Sequence, residues 1–166
     1  MATGVFDILH SGHLAFLREA KKLGDELVVV VATDALAEKM KHRPINSQET
    51  RLELINEIRM VDRALIGDDR DMYKTVERVR PDVIALGFDQ KHDETKILAE
   101  IERRGLGPVR IVRVGQFGGE LEATRRIVQK IIEWYRLQQE LAKVEGKKQE
   151  EQELDKVEGK KQEGEE

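Results

Sequence analysis

Two histidines near the start of the chain, His10 and His13, are the residues best suited to chemistry by type and spacing. In a helical turn, residues three apart project from one side, and two imidazoles placed so can donate hydrogen bonds to a phosphate near neutral pH. Gly4 and Gly12 let the backbone approach a ligand, and the first N–H groups of a helix attract anions. A metal site is the alternative, but no third ligand lies nearby in the sequence. The spacing therefore favours phosphate.

The segment that carries these residues, 3–13, lies between the first predicted strand and the first predicted helix. Open parallel sheets bind ligands at such junctions, outside the carboxyl ends of their strands. Asp7 within the segment either caps the helix that follows or contacts the ligand, and the sequence leaves both open. Only three residues precede Gly4, so the first strand is very short or the chain begins late.

The elements that position this segment alternate between strand and helix patterns, which predicts an α/β fold: a Rossmann-like open parallel sheet with helices on both faces. Asn46 and Glu49 have the spacing of a capping box. β-branched apolar runs predict strands at 26–33, 64–66, 83–86 and 109–114. Apolar residues at helical spacing predict helices at 14–21, 46–58, 72–79 and 96–103, with a last one from about Thr124 through Tyr135.

The last part of the chain differs in composition from the rest. Residues 141–150 return with one substitution as residues 154–163, a repeat with a period of 13. Each copy offers one Leu and one Val, too little apolar surface to offset the entropy of ordering. We therefore predict one domain over 1–140 and a charged tail over 141–166 that is disordered or a frayed helix.

Composition excludes several classes of protein. The chain has no cysteine, which excludes disulfides, thiolate metal sites and cysteine nucleophiles. Its net charge of −4 argues against nonspecific nucleic-acid binding. No apolar run approaches the ~18–20 residues of a membrane span, and the N-terminus lacks the pattern of a signal peptide. These features predict a cytoplasmic protein with neither nucleic acid nor membrane as partner.

A family resemblance is carried by the histidine segment. Residues 4–13 read G-V-F-D-I-L-H-S-G-H and resemble the signature G-x-F-D-x-x-H-x-G-H of the cytidylyltransferase-like nucleotidyltransferases. The likeness covers about residues 3–135. Within the family, K-H-R-P-I at 41–45 and R-P-D-V-I-A-L-G-F-D-Q at 80–90 are most similar to the archaeal FAD synthases, which are FMN adenylyltransferases. The resemblance implies transfer of AMP from ATP to FMN, giving FAD and pyrophosphate.

The resemblance also implies catalytic roles. His10 and His13 match the histidines that hold the triphosphate and stabilise charge on the α-phosphate. Lys41 lies in the loop where the family keeps a basic residue against the phosphates, with Lys39 and Arg43 as competitors. A solvated basic loop is the alternative for each of these three.

Further positions match nucleotide-binding residues of the family. Arg51 matches a family arginine, although it could instead pair with Glu49 or Glu53. Asp89 matches an acid near the ribose or base, with a turn as the alternative, and Thr124 contacts phosphate or caps the last helix. The nucleotide-binding set implied by the resemblance is Val5, Phe6, Asp7, His10, Ser11, Gly12, His13, Arg51, Asp89, Phe117 and Thr124. Phe117 stacks on a base or serves packing.

Cofactor and partners follow from the same resemblance. Mg²⁺ is implied as the counterion of ATP, bound through phosphates without a dedicated protein site, and a homodimer is implied, with Trp134 as a candidate contact. Two alternatives stay open. One keeps the fold but uses another acceptor, such as glycerol 3-phosphate with CTP or a sugar phosphate with ATP. The other is a nucleotide-binding protein of weak activity, motivated by the altered stretch at 122–124 and by the short first strand.

Overall fold

The computed structural model describes residues 1–40, 43–88, 90, 92–115 and 124–162, with the backbone alone for 146–162. Its centre is a five-stranded sheet in which every pair of neighbouring strands is parallel. The order across the sheet is β3-β2-β1-β4-β5. The predicted parallel α/β fold is confirmed. The strands are β1 (Ala2–Gly4), β2 (Val28–Val31), β3 (Arg63–Ile66), β4 (Val83–Leu86) and β5 (Arg110–Arg113).

The helices follow the predicted pattern with two differences. A short helix after β2 was not predicted, and the capping prediction at Asn46 is wrong: Ser47 is the cap, and its hydroxyl accepts from the Thr50 N–H. The Asn46 side chain is turned instead toward the segment after β1. The helices are α1 (Ser11–Lys21), α2 (Asp34–Met40), α3 (Gln48–Asn56), α4 (Met72–Val79), α5 (Glu94–Arg103) and α6 (Thr124–Gln162).

Two hydrophobic clusters cover the sheet, one on each face. Successive residues of a strand point to opposite faces, and in β4 the side chain of Ala85 joins one cluster while Ile84 and Leu86 join the other. Residues of α1 and α3 pack in the first cluster, and residues of α4 and α5 pack in the second. The predicted placement of helices on both faces is therefore confirmed.

The central strand is the shortest. β1 has three residues and lies between β2 and β4. The chain passes from β1 to β2 and β3 on one side, and then crosses to β4 and β5 on the other. The carboxyl ends of β1 and β4 therefore flank the point where the strand order reverses, which is where open α/β sheets form a ligand crevice.

The chain divides into two compact units, Met1–Thr124 and Arg125–Glu166. The second unit consists of α6 beyond its first residue, and its backbone is helical through Gln162. The helix thus continues past Tyr135 into the repeat, which is rich in the helix formers Glu, Lys and Gln. A domain boundary at residue 140 stays a prediction. None of the helices described is both long and apolar enough to cross a membrane.

Candidate functional site

The segment between β1 and α1 is a strained turn. Phe6 and Ile8 have φ angles of 53° and 46°, a left-handed conformation that is unusual for bulky and β-branched side chains. The Phe6 ring folds back under Gly4, where an added Cβ would lie 2.9 Å from the ring. A side chain at position 4 would therefore require the Phe6 ring to shift, which glycine avoids. Strain of this kind persists only when the surrounding contacts hold it, and it is common at functional sites.

The two histidines stack at the start of α1, as their spacing predicts. Their ring centroids are 3.8 Å apart at an interplanar angle of 22°, and the edge of Phe6 contacts His13 with centroids 5.4 Å apart. His10 is the N-cap residue, but its side chain makes no capping hydrogen bond. Its Nδ1 is buried without a hydrogen-bond partner among the described residues. Burial lowers the pKa of the His10 imidazole.

Asp7 lies inside the protein and binds the segment before α3. Its side chain is 4% exposed. One carboxylate oxygen accepts from the Ile45 N–H at 2.7 Å, and the other accepts from the backbone and side-chain nitrogens of Asn46 at 3.0 Å each. Burial alone would raise the pKa of this carboxyl, but the hydrogen bonds from Ile45 and Asn46 outweigh it and lower the pKa. The prediction that Asp7 caps α1 is wrong, since His10 is the N-cap residue of this helix.

Arg51 is a second buried charge, with 0% exposure. Its guanidinium donates to three main-chain carbonyls in three different segments and forms an ion pair with Asp34 at 2.6 Å. The pairing with Glu49 or Glu53 that the sequence left open is not formed. The carbonyls belong to Val5 at 2.5 Å, Ala32 at 2.8 Å and Asn46 at 3.1 Å.

The start of the last helix also reaches the histidine turn. The Thr124 hydroxyl donates to the main-chain carbonyl of Asp7 at 3.1 Å. Ser11 and Gly12 are the first two residues of α1, so their N–H groups belong to its first turn. Hydrogen bonds therefore join Arg51 to Val5 and Thr124 to Asp7 within the turn that leads to His10.

Two residues hold the segment after β4: Gln90, which ends the family-like string at 80–90, and Arg113, which the sequence did not single out. The Gln90 amide accepts from the Gly87 N–H at 3.1 Å and donates to the Thr3 carbonyl at 2.7 Å, which joins the ends of β4 and β1. Arg113 donates to the carbonyls of Gly87, Gln90 and His92 at 2.8–3.0 Å. The sequence signal for Gln90 was that string, whereas Arg113 had only its position at the carboxyl end of β5.

Three predicted site residues, Lys41, Asp89 and Phe117, lie outside the described residues. Of the two competitors of Lys41, Lys39 lies in the last turn of α2 and Arg43 is exposed. No group of three or more metal-binding side chains occurs within the described ranges.

A cavity among the described residues lies at the opposite edge of the sheet. It has a volume of about 410 Å³, and its wall includes Val28, Arg63 and Val83, the first residues of β2, β3 and β4. None of the predicted site residues lines it. We place the candidate site at the carboxyl edge, because the histidine pair, the strained turn and the two buried charges are there.

Comparisons with known proteins identify the family of the chain. The profile of the cytidylyltransferase-like family matches residues 1–157. FAD synthase from Aciduliprofundum boonei is 54% identical over 80% of this chain and 89% of its own length. FAD synthase from Thermoplasma volcanium is 50% identical over 80% of this chain and 93% of its own length. A crystal structure of a lipopolysaccharide core biosynthesis protein from Thermoplasma volcanium has a TM-score of 0.69 at 52% identity, covering 71% of this chain and 96% of that one. The chain therefore belongs to the cytidylyltransferase-like family.

Proposed function

We propose that this protein is an FMN adenylyltransferase, which transfers AMP from ATP to FMN and releases FAD and pyrophosphate. The broader prediction of a nucleotidyltransferase enzyme is confirmed by the family match and by the curated FAD synthases. The observation that carries the proposal is the stacked pair of His10 and His13 at the N-terminus of α1, in a chain about half identical to those enzymes.

The reaction joins a phosphate oxygen of FMN to the α-phosphorus of ATP and breaks the bond from that phosphorus to the bridging oxygen. Pyrophosphate leaves with the electron pair, so the protein need not supply a nucleophile. Such a reaction depends on positioned hydrogen-bond donors at the phosphates. The stacked imidazoles and the first N–H groups of α1 provide donors on one side of the strained turn.

Roles for the individual residues follow from burial. We assign charge stabilisation to His10, His13 and Lys41. Asp7 and Arg51 act as positioning residues in place of the direct ligand roles that the resemblance implied, because both are buried and fully engaged with the protein. The nucleotide-binding residues in the proposal are Val5, Phe6, Ser11, Gly12, Asp89, Phe117 and Thr124.

A divalent ion is part of the proposal through ATP. Mg²⁺ keeps most of its waters and binds few protein ligands, so in the proposal the triphosphate carries the ion. When bound there, Mg²⁺ neutralises phosphate charge.

The experiment offers purified protein four pairs: ATP with FMN, CTP with glycerol 3-phosphate, and ATP or CTP with a sugar phosphate. Pyrophosphate release and chromatography of the product are the readouts. We expect FAD from ATP and FMN alone. The sugar-phosphate pairs also test an activity in lipopolysaccharide core biosynthesis, for which the similar Thermoplasma volcanium structure is named. Product from another pair would reject the acceptor, whereas ATP binding without product would favour the weakly active alternative.

A homodimer is a separate part of the proposal. Along α6, Ile131, Trp134 and Leu137 are each more than half exposed, and they follow one another at helical spacing. A second copy is the partner we propose for this face. We expect sedimentation velocity to show a dimer that Trp134→Glu converts to monomer and that the control Glu140→Gln leaves intact. A wild-type monomer at working concentration would reject the dimer.

A further inference from the structure

Asn46 joins the two buried charges of the site. Its backbone N–H and its side-chain amide both donate to the same Asp7 oxygen at 3.0 Å, and its carbonyl accepts from the Arg51 side chain at 3.1 Å. Asp7 and Arg51 make no hydrogen bond to each other among the bonds described. Asn46 is therefore the residue that connects them.

These contacts close a ring through the strained turn. Arg51 holds the Val5 carbonyl, Val5 precedes Phe6 and Asp7 in the chain, and Asp7 holds Asn46, which returns to Arg51. Asp7 lies between the two residues with left-handed backbone, Phe6 and Ile8. Backbone strain persists only where surrounding contacts over-determine it, so the ring is in the right place to fix the turn that ends at His10.

The same ring anchors residues 43–45, the described basic segment that precedes α3. Asn46 follows Arg43 by three residues, and the N–H of Ile45 is bound by the other Asp7 oxygen. Ser47, the next residue, caps α3. The end of the basic segment is thus fixed to the histidine turn at one point.

We propose that Asn46 is a positioning residue for nucleotidyl transfer. It holds the basic segment and the histidine turn at the separation that the reaction requires. This inference rests on the proposed function. Removal of the Asn46 side-chain amide should lower kcat more than it lowers stability, because Asp7 retains the backbone N–H groups of Ile45 and Asn46.

The first test compares Asn46→Ala with Asn56→Ala. Asn56 is a matched control, since its side chain also makes one hydrogen bond, which it accepts from the Ala64 N–H at 3.1 Å at the amino end of β3. We expect Asn46→Ala to lower kcat for FAD formation about 10- to 100-fold, since a displacement of about 1 Å can cost that much. The KM values for ATP and FMN should change less than about threefold. Asn56→Ala should keep wild-type kcat, with a similar change in Tm.

The second test uses pH. In Asn46→Asp the introduced carboxylate would face the Asp7 carboxylate, and two carboxylates in contact share a proton at raised pKa. The shared proton restores a donor to Asp7. The charged groups that face position 46 among the described residues are Asp7 from the turn and Arg51 from α3. We expect the kcat ratio of Asn46→Asp to wild type to rise as pH falls from 8 to 5.5, while the ratio for Asn46→Ala stays flat.

Three results would overturn the proposal: kcat of Asn46→Ala within twofold of wild type, equal loss in Asn56→Ala, or an Asn46→Asp ratio that does not depend on pH. If both Asn46 variants fail to fold at every pH, Asn46 is a stability residue and the proposal is also rejected. Wild-type protein that makes no FAD would instead reject the proposed function, so the two failures are distinguishable.

Discussion

Replacing Arg51 with methionine tests how the site is held. Methionine fills a similar volume but offers no donor, so the carbonyls of Val5, Ala32 and Asn46 lose their guanidinium partner. A buried acceptor left without a donor costs about 1–3 kcal/mol, so three such carbonyls together cost about 3–9 kcal/mol. Water can reach the edge of this site, since Asp34 is 44% exposed. We therefore expect a loss of about 3–5 kcal/mol in the free energy of unfolding.

Urea unfolding at pH 7, followed by far-ultraviolet circular dichroism, measures this loss. Arg63→Met is the matched control, because the Arg63 side chain is 55% exposed and its pair with Glu26 spans 4.0 Å. That variant should lose less than about 1 kcal/mol. The loss of unfolding free energy in Arg51→Lys should lie between those of the two methionine variants, since one ammonium group can satisfy only some of the three carbonyls. An Arg51→Met variant as stable as Arg63→Met would refute the inference that this guanidinium holds the three segments.

Three other predictions concern catalysis, pH and the tail. His13→Ala should lower kcat about 10²- to 10³-fold with an unchanged circular dichroism spectrum, as for the loss of one positioned donor; near-normal turnover would remove its proposed role. The folded-state pKa of Asp7 is lowered, so its stabilising contribution is present above the unfolded pKa of about 4 and is lost as pH falls through the folded value. Between pH 5 and 2.5, wild type should therefore lose more unfolding free energy than Asp7→Asn, and equal losses would contradict this. Deletion of residues 141–166 should leave the rate of FAD formation unchanged. Loss of activity in this truncated protein would show that the tail is needed for catalysis.

The fold could be predicted because its strands and helices have strong local patterns. β4 and α4 begin and end at the predicted residues, and all four residues of β2 are buried, as an unbroken apolar run indicates. α2 escaped prediction because seven residues offer too little periodicity. Its sequence signal was Thr33, whose hydroxyl accepts from the Leu36 N–H at 3.1 Å in the manner of an N-cap.

The site could be predicted only in part. The histidine pair lies in one turn, so its spacing determined the stacking. The partner of Arg51 could not be found in the same way, because Asp34 is 17 residues away in sequence and is brought close by the fold. Helix geometry could have excluded Glu49 and Glu53, since residues two apart do not share a face. The wrong cap at Asn46 has a similar cause, because its side chain is drawn to Asp7, 39 residues earlier.

The most direct test of the central claim follows the α-phosphate itself. ATP labelled at the α-phosphorus is incubated with FMN, Mg²⁺ and either wild-type protein or the variant in which His10 and His13 are both alanine, and the products are separated. We predict that the label enters FAD with wild-type protein, in amounts equal to the pyrophosphate formed, and that the double variant forms FAD at least about 10³-fold more slowly. Label that never enters FAD with the wild-type protein, or that enters it equally fast with the double variant, would contradict the account.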